Sequence, residues 1–321
     1  MAKLSETTTN ILLITDDFSD FEDVFIGILQ VLNGVLIVLG NTINLCVIPR
    51  LAFHKNMRCY LLSLAIADMT TGLMILTCLV SLHFKLLSTD NSLCKLTGFL
   101  FSLAPAVSSY SLVWIAIDKF CLIQYPFKYD RLFKEFVPPL FLSINLLCTI
   151  PLISWISYGN GQLFTNIIYQ PHFKICLVDF TNPEKAAAIF IAGFFGMGIP
   201  LVITSCLYLK LSMTAHEQAR RINNMIFTVN HAHGDNSSQQ AANPWRGVIF
   251  SFIVIGAFFF AWSPFWITQI IHLSSDNRVS RNLDFLFGYL TISNSWWNVV
   301  IYTFGSKDFR KEVKKLFLLQ R

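Results

Sequence analysis

One acid stands deep inside an apolar run of this 321-residue chain: Asp68, in the stretch LSLAIADM. A charge at that depth in a hydrophobic segment is costly and marks a functional position. Polar residues recur at matching depth in other apolar runs: Asn41, Ser108, Asn294, Ser295 and Asn298. Asn294 and Asn298 are four residues apart and so share one helix face. Gathered around Asp68, these groups supply hard oxygen ligands, which suit a small cation such as sodium or a network of water. A static hydrogen-bond knot between helices is the competing reading. A second charged island, Asp118-Lys119 followed by Phe120, ends a long stretch that carries no charge.

Holding these groups together requires apolar helices, and the composition supplies them. The chain is 54% hydrophobic and 13% charged, against about 25% charged residues in soluble domains. Seven stretches are long and apolar enough to cross a bilayer: about 24–49, 59–83, 94–121, 137–158, 186–213, 247–273 and 283–304. Each can satisfy its own backbone only as a helix. The predicted fold is an all-α membrane protein, a seven-transmembrane helix bundle with a short cytoplasmic amphipathic eighth helix. An N-terminal tail (1–23) precedes the bundle (24–304), and residues 305–321 follow it.

Charge sets the expected orientation. Most of the 24 Lys and Arg residues fall on the side shared by the first inner loop and the C-terminus, while the N-terminal tail is acidic. The positive-inside pattern therefore puts the N-terminus outside and the C-terminus in the cytoplasm. The run ILLI (11–14) is too short for a signal-peptide core, so the first span is expected to act as its own insertion signal. With this topology only Cys94 and Cys176 face an oxidising compartment, and a bridge between them would tether the second outer loop over the bundle. The remaining cysteines sit in spans or at their inner ends, as small hydrophobes.

Several seven-helix classes are disfavoured by single residues. A retinal-binding protein needs a lysine in its last span, and 283–304 has none. A membrane zinc hydrolase needs clustered histidines at membrane depth, whereas all seven here lie in loops or at helix ends. Transporters tend to show inverted repeats or paired broken helices, and neither is visible. No enzymatic activity is expected, and no cofactor beyond a sodium ion at Asp68.

Ordered motifs narrow the choice further. GNTIN lies in the first span and LAIAD in the second, and Cys94 stands 25 residues before Lys119. YPFKY follows the third span, Pro200 precedes Tyr208 by eight residues, and AWSPF lies in the sixth span. NSWWNVVIY then leads into FGSKDFRKEV. In this order they resemble the rhodopsin-like G-protein-coupled receptors over nearly the whole chain. The resemblance implies an allosteric sodium pocket lined by Asp68, Ser108, Trp262, Asn294, Ser295 and Asn298, with Asn41 close by. It also implies a switch in which Trp262 senses ligand, Pro264 kinks the sixth helix and Phe258 repacks against Pro200. Asp118, Lys119, Phe120, Tyr208 and Tyr302 would serve the end that couples to a heterotrimeric G-protein.

The sequence also departs from that family's pattern. Lys119 replaces the usual arginine and Phe120 the usual tyrosine. Val299 stands where a proline is expected, Ser109 replaces a bulky aliphatic residue, and the fourth span lacks its usual tryptophan. Lysine is a compact charge without arginine's planar fork of donors. The sixth-span position that often supplies a second acidic anchor falls at Pro244, with Arg246 nearby. Pairing of Lys119 with Asp118 alone predicts a weak resting lock and raised basal signalling. A seven-helix decoy or scavenger that does not couple is the alternative.

For the ligand pocket the expected residues are Thr97, Phe101, Pro105, Ala192, Gly193, Gly196, Trp262, Phe265, Trp266, Gln269, Gly288 and Ile292. Phe101 occupies the place of the amine-binding aspartate, so a neutral hydrophobic or lipid ligand is expected. A cavity filled by its own aromatics, and a peptide ligand drawn by the acidic tail, are the alternatives. QYPFKY, AWSPFWIT, PHFKIC and HEQARRI resemble stretches of the glucose-dependent insulinotropic receptor, which implies lipid-amide ligands and a stimulatory G-protein. The third inner loop, about 214–246, reads as polar and mobile. Its Asn236-Ser237-Ser238 sequon would lie in the cytosol, where Ser237 and Ser238 could instead be phosphorylated. From Lys307 onward, Phe309, Val313, Leu316 and Phe317 recur at helical spacing among basic residues, as in an interfacial helix. No cysteine follows for a palmitoyl anchor, and the short serine-poor end predicts weak arrestin recruitment.

Overall fold

The computed structural model describes residues 20–84, 92–133, 137–158, 166–171, 173–179, 183–233, 245–274 and 279–318. The chain folds as a bundle of seven long helices, and four further elements position the functional groups. The first three spans are α1 (Asp20–Val47), α2 (Lys55–His83) and α3 (Ser92–Gln124). A short helix α4 (Pro126–Phe133) precedes the fourth span, α5 (Val137–Ser157). The fifth span comprises α6 (Pro183–Gly193), one π-helical turn (Phe194–Gly198) and α7 (Ile199–His233). Helices α8 (Trp245–Ser274) and α9 (Arg281–Gly305) are the sixth and seventh spans, and α10 (Lys307–Leu318) closes the chain.

Among the described residues, four segments meet the length and hydropathy of a membrane span on their own: Val24–Arg50, Lys55–His83, Ser92–Gln124 and Ala188–Thr214. Large apolar side chains point away from the bundle, such as Leu147, Val202 and Phe260. In water that surface would aggregate; against lipid it is what a spanning helix presents. With no hydrophobic drive between helices in lipid, close approach relies on small residues. Gly72 of α2 shows this, because a Cβ there would lie 2.7 Å from Ile37 Cγ2 of α1.

Between α5 and α6, strands β1 (Ile167–Gln170) and β2 (Ile175–Val178) form an antiparallel hairpin, with Ile167 opposite Val178 and Tyr169 opposite Cys176. Its turn passes through Lys174, whose φ of 52° is left-handed. Cys176 is disulfide-bonded to Cys94 at the start of α3, so the hairpin is tethered over one end of the bundle. Buried Ile37, Ile75, Ile175 and Ile292 form the core at that end. Toward the opposite end, Tyr60, Leu64, Ile115 and Phe141 form a second core. Phe141 meets Tyr60 edge-on at 4.8 Å and Trp114 at 5.8 Å. Trp114 on the third span thus supplies aromatic bulk beside a fourth span that lacks its expected tryptophan.

One expectation about a loop is corrected. The stretch from 214 does not begin a loop, because α7 continues to His233. Its AHEQAR segment is rich in strong helix formers, so the helix outlasts the apolar run. Residues 234–244, with Asn236, Ser237 and Ser238, lie outside the described set, as does the acidic tail through 19. The YPFKY segment, which follows the third span, leads into α4. At the chain's end, α10 buries Phe309 against Val47 and Leu51, with Val313 and Leu316 beside them. Phe317 remains exposed. Arg310 Nη1 donates to the carbonyls of Thr303 and Phe304, both at 2.9 Å, and so caps α9 with a cation at its C-terminal end.

Candidate functional site

Asp68 lies in the middle of α2 and is almost fully buried. Asn298 Nδ2 donates to its Oδ2 at 2.8 Å. The hydroxyls of Ser108 and Ser295 also engage this carboxylate. Together with Asn294, Thr71 and Trp262 they border a cavity of about 40 Å³. That exceeds the 10–15 Å³ or so that one water requires. Asn41 stands behind this shell: its Nδ2 donates to the carbonyls of Ile37 (3.0 Å) and Ser295 (2.9 Å), fixing the first span to the seventh. The expected polar cluster is therefore assembled, with Asn41 as a support. One carboxylate among neutral oxygens is a donor set that fits a small hard monovalent cation.

The apolar wall of the same cavity comes from Phe101, Pro105, Phe258 and Ile292. Phe258 stacks on Trp262 with ring centroids 5.7 Å apart, and Phe265 meets Trp262 edge-on at 6.4 Å. Beside them Thr291 Oγ1 donates to the carbonyl of Ala261 at 2.8 Å, while also lying 2.9 Å from the Phe287 carbonyl. Ala261 is three residues before Pro264, so this hydroxyl ties the seventh span to the stretch where the sixth lacks a backbone bond. Sequence reasoning missed Thr291, whose only signal was a hydroxyl in an apolar run.

Several of the other expected pocket residues pack directly against aromatic rings. Trp266 packs so closely on Gly193 that a Cβ at that position would clash with its ring. Phe190 meets the same indole edge-on at 5.5 Å. Gly288 is covered by the ring of Phe173, leaving no space for a side chain. Ala192 and Gly196 are buried, Gln269 half-buried. Thr97 belongs elsewhere: its hydroxyl donates to the carbonyl of Leu93 at 2.9 Å while lying 3.0 Å from that of Cys94, beside the disulfide. Aromatic rings from α8 and the hairpin thus occupy much of the hairpin end.

At the opposite end, Asp118 is buried, and its Oδ1 accepts a 2.6 Å hydrogen bond from the Tyr129 hydroxyl. Helix α4 makes this contact possible by turning the chain back through Tyr125-Pro126. Burial and the Asp118 carboxylate raise the Tyr129 phenol well above its usual range, so it stays protonated and donates. His54 lies against Tyr129, with ring centroids 5.9 Å apart. Lys119 directs its ammonium at Tyr208, 5.8 Å from the ring centroid. Phe120 meets Tyr125 edge-on, and Tyr302 packs on Phe309. The expected Asp118–Lys119 couple is thus joined by two tyrosines. Tyr129 was not foreseen, because it is separated from Asp118 by a helix end and a turn.

Comparison with known proteins agrees with this geometry. The model of the 7 transmembrane receptor (rhodopsin family) matches residues 40–302. The melatonin receptor type 1A of Gallus gallus is 25% identical over 289 residues, covering 85% of this chain and 75% of that protein. The human glucose-dependent insulinotropic receptor is 24% identical over 306 residues, covering 91% and 86%. The human histamine H2 receptor is 24% identical over 303 residues, covering 90% and 79%. The crystal structure of squid rhodopsin superposes with a TM-score of 0.77 at 17% identity, covering 95% of this chain and 87% of that one. A family match spanning the motifs from GNTIN to Tyr302, over a bundle of the same shape, means that this chain belongs to the rhodopsin family of seven-transmembrane receptors, multi-pass signalling proteins rather than enzymes.

Proposed function

We propose that this receptor sits in the plasma membrane with its N-terminus outside and its C-terminus in the cytoplasm. It senses a neutral hydrophobic or lipid-like molecule and activates a heterotrimeric G-protein by outward motion of the sixth span, with raised basal activity. The distribution of Lys and Arg supports the orientation. Phe101, at the place where amine receptors carry an aspartate, supports a neutral ligand. Sodium held by Asp68, Ser108, Ser295 and the neighbouring asparagines would favour the resting arrangement.

The observation that carries the coupling reading is the position of Lys119. Its ammonium is at Tyr208 on the fifth span, while the neighbouring carboxylate is engaged by Tyr129. An acid occupied elsewhere is a poor restraint on its basic neighbour, which favours basal signalling. Guanine-nucleotide exchange in receptor-bearing membranes tests this reading. Wild type is expected above receptor-free membranes, Lys119→Arg at or above wild type, and Lys119→Ala near background. Exchange at background for both wild type and Lys119→Arg, at equal surface expression, would identify a decoy instead.

A further inference from the structure

The cavity beside Asp68 measures about 40 Å³, room for water, whereas pockets for small organic ligands run to roughly 300–1,000 Å³. A neutral hydrophobic molecule enters only if part of the surrounding structure moves. One face of the seventh span leads outward from this cavity. Ile292 lines it, Gly288 is one turn farther out, and Phe285 lies nearly a turn beyond that, all on one side of α9. Phe173, in the turn of the outer hairpin, stacks on Phe285 with ring centroids 6.4 Å apart. Its ring also covers Gly288 so closely that a Cβ there would clash with it. The same ring packs on the apolar cluster that includes Ile292 and Phe101, two residues of the cavity lining. Phe173 thus stands over the outer approach to the cavity.

The hairpin divides into a fixed part and a movable one. Its strands are held on α3 by the Cys94–Cys176 disulfide. They also pack against Gly98, where a Cβ would clash with Ile167 and lie 3.1 Å from the Cys176 carbonyl. The turn lies beyond both supports. Lys174, next to Phe173, is a non-glycine residue at φ 52°, a conformation that L side chains rarely adopt, so the turn is strained while Phe173 is seated. The seat itself is rigid. Gln30 of α1, fully buried, donates from Nε2 to the Phe173 carbonyl at 3.2 Å. Asn33, one turn on, accepts from Trp296 Nε1 of α9, also at 3.2 Å, so the two spans that receive Phe173 are bonded to each other. The other aromatic ring packed on a glycine, Trp266 on Gly193, joins two spans. Phe173 is the one of the two that a turn alone can withdraw.

We propose that Phe173 seated on Gly288 is a latch on the outer mouth of the cavity. With the ring seated, the cavity is closed to organic molecules. When the turn rotates between its two fixed strands, the ring leaves Gly288, and the space it filled joins the cavity and supplies the volume a ligand needs. Residue 288 is glycine because a side chain there would exclude the ring. The strands and the disulfide keep their places in both arrangements. The latch rests on the reading of the receptor as a sensor of neutral hydrophobic molecules, and it specifies what such a molecule must displace.

The test measures access from outside on full-length receptor in intact cells, with neither ligand nor G-protein needed. Ile292→Cys places a thiol in the cavity wall, and the membrane-impermeant reagent 2-(trimethylammonium)ethyl methanethiosulfonate is the probe. The readout is the rate at which the peptide carrying residue 292 becomes labelled. In this parent, adding Phe173→Ala is expected to speed labelling at least about tenfold. Gly288→Ala, whose Cβ unseats the ring, should speed it several-fold and should add nothing to Phe173→Ala. Cys78, buried beside the disulfide-bearing end of α3, should stay unlabelled throughout, which separates movement of the turn from loss of the fold. A rate unchanged by either variant overturns the latch, and each variant decides alone should the other fail to reach the surface. A Gly288→Ala effect that adds to that of Phe173→Ala overturns it as well, as does labelling of Cys78 in step with residue 292. These failures leave the neutral-ligand reading standing, because no ligand is used. A cavity that opens as expected, while no neutral hydrophobic compound shifts nucleotide exchange, would refute that reading and leave the latch in place.

Discussion

Replacing Tyr129 by phenylalanine tests the coupling end most directly. The change deletes one hydroxyl, which donates to the buried Asp118 carboxylate at 2.6 Å. A hydrogen bond to a charged group contributes about 1.5–3 kcal/mol. The other carboxylate oxygen of Asp118 is buried without a partner among the described residues, so the loss falls on a group with no spare donor. A buried carboxylate deprived of its donor draws a nearby cation, and both His54 and Lys119 act on Asp118 electrostatically. Leaving Tyr208 costs the lysine a cation–π contact of roughly 0.5–2 kcal/mol, which is smaller than or comparable to the bond removed. The balance therefore moves toward the Asp118–Lys119 pair, by up to about tenfold for each 1.4 kcal/mol of net difference. Basal nucleotide exchange should fall several-fold in Tyr129→Phe at equal surface expression, and Asp118→Asn, which removes the competing charge, should not show that fall. Unchanged or raised basal exchange in Tyr129→Phe would refute the competition between Tyr129 and Lys119.

Three further outcomes are expected. Replacing sodium by N-methylglucamine at constant ionic strength should raise basal exchange in wild type, and Asp68→Asn should remove that difference. Thr291→Val deletes the bond from the seventh span to the Ala261 carbonyl, about 0.5–1.5 kcal/mol. It should therefore ease motion of the sixth span and raise basal exchange roughly two- to tenfold; exchange at the wild-type level would show that the bond does not restrain that motion. Cys176→Ser releases the hairpin from α3, and removing a native disulfide typically costs about 2–5 kcal/mol, so the half-life of the solubilised receptor on heating should shorten markedly.

The bundle was legible in the sequence because lipid leaves few options: an apolar run of sufficient length must be a helix. The helices end within a few residues of the apolar runs wherever hydropathy and helix propensity end together. They part company after residue 213, where apolar residues stop but helix formers continue to His233. Asp68 and its companions were legible for a related reason, since a polar group in an apolar run has few places to go. Gln30 and Asn33 obey the same rule and were missed, because no acid accompanies them and their partners, Phe173 and Trp296, lie far away in sequence. Tyr129 was hidden differently. Its contact depends on the turn at Tyr125-Pro126 and on α4, an eight-residue helix set between two spans.

The departures from the family pattern act together. Without a proline at 299, α9 runs unbroken from Arg281 to Gly305, and a Cβ on Gly40 of the first span would lie 3.6 Å from the Val299 side chain. Asn298 consequently bonds Asp68 directly, on a helix that retains its backbone bonds. The sixth span, by contrast, carries Pro264 inside its helix, and Thr291 ties the seventh span to the carbonyl of Ala261 beside it. At the coupling end, lysine cannot make the bidentate pair that arginine makes. Its ammonium instead faces a ring on the fifth span, while the neighbouring acid is held by α4. On the proposed reading, an unbroken seventh helix, a sixth tied to it through Thr291 and a lysine without arginine's fork would bring the resting and signalling states close in free energy.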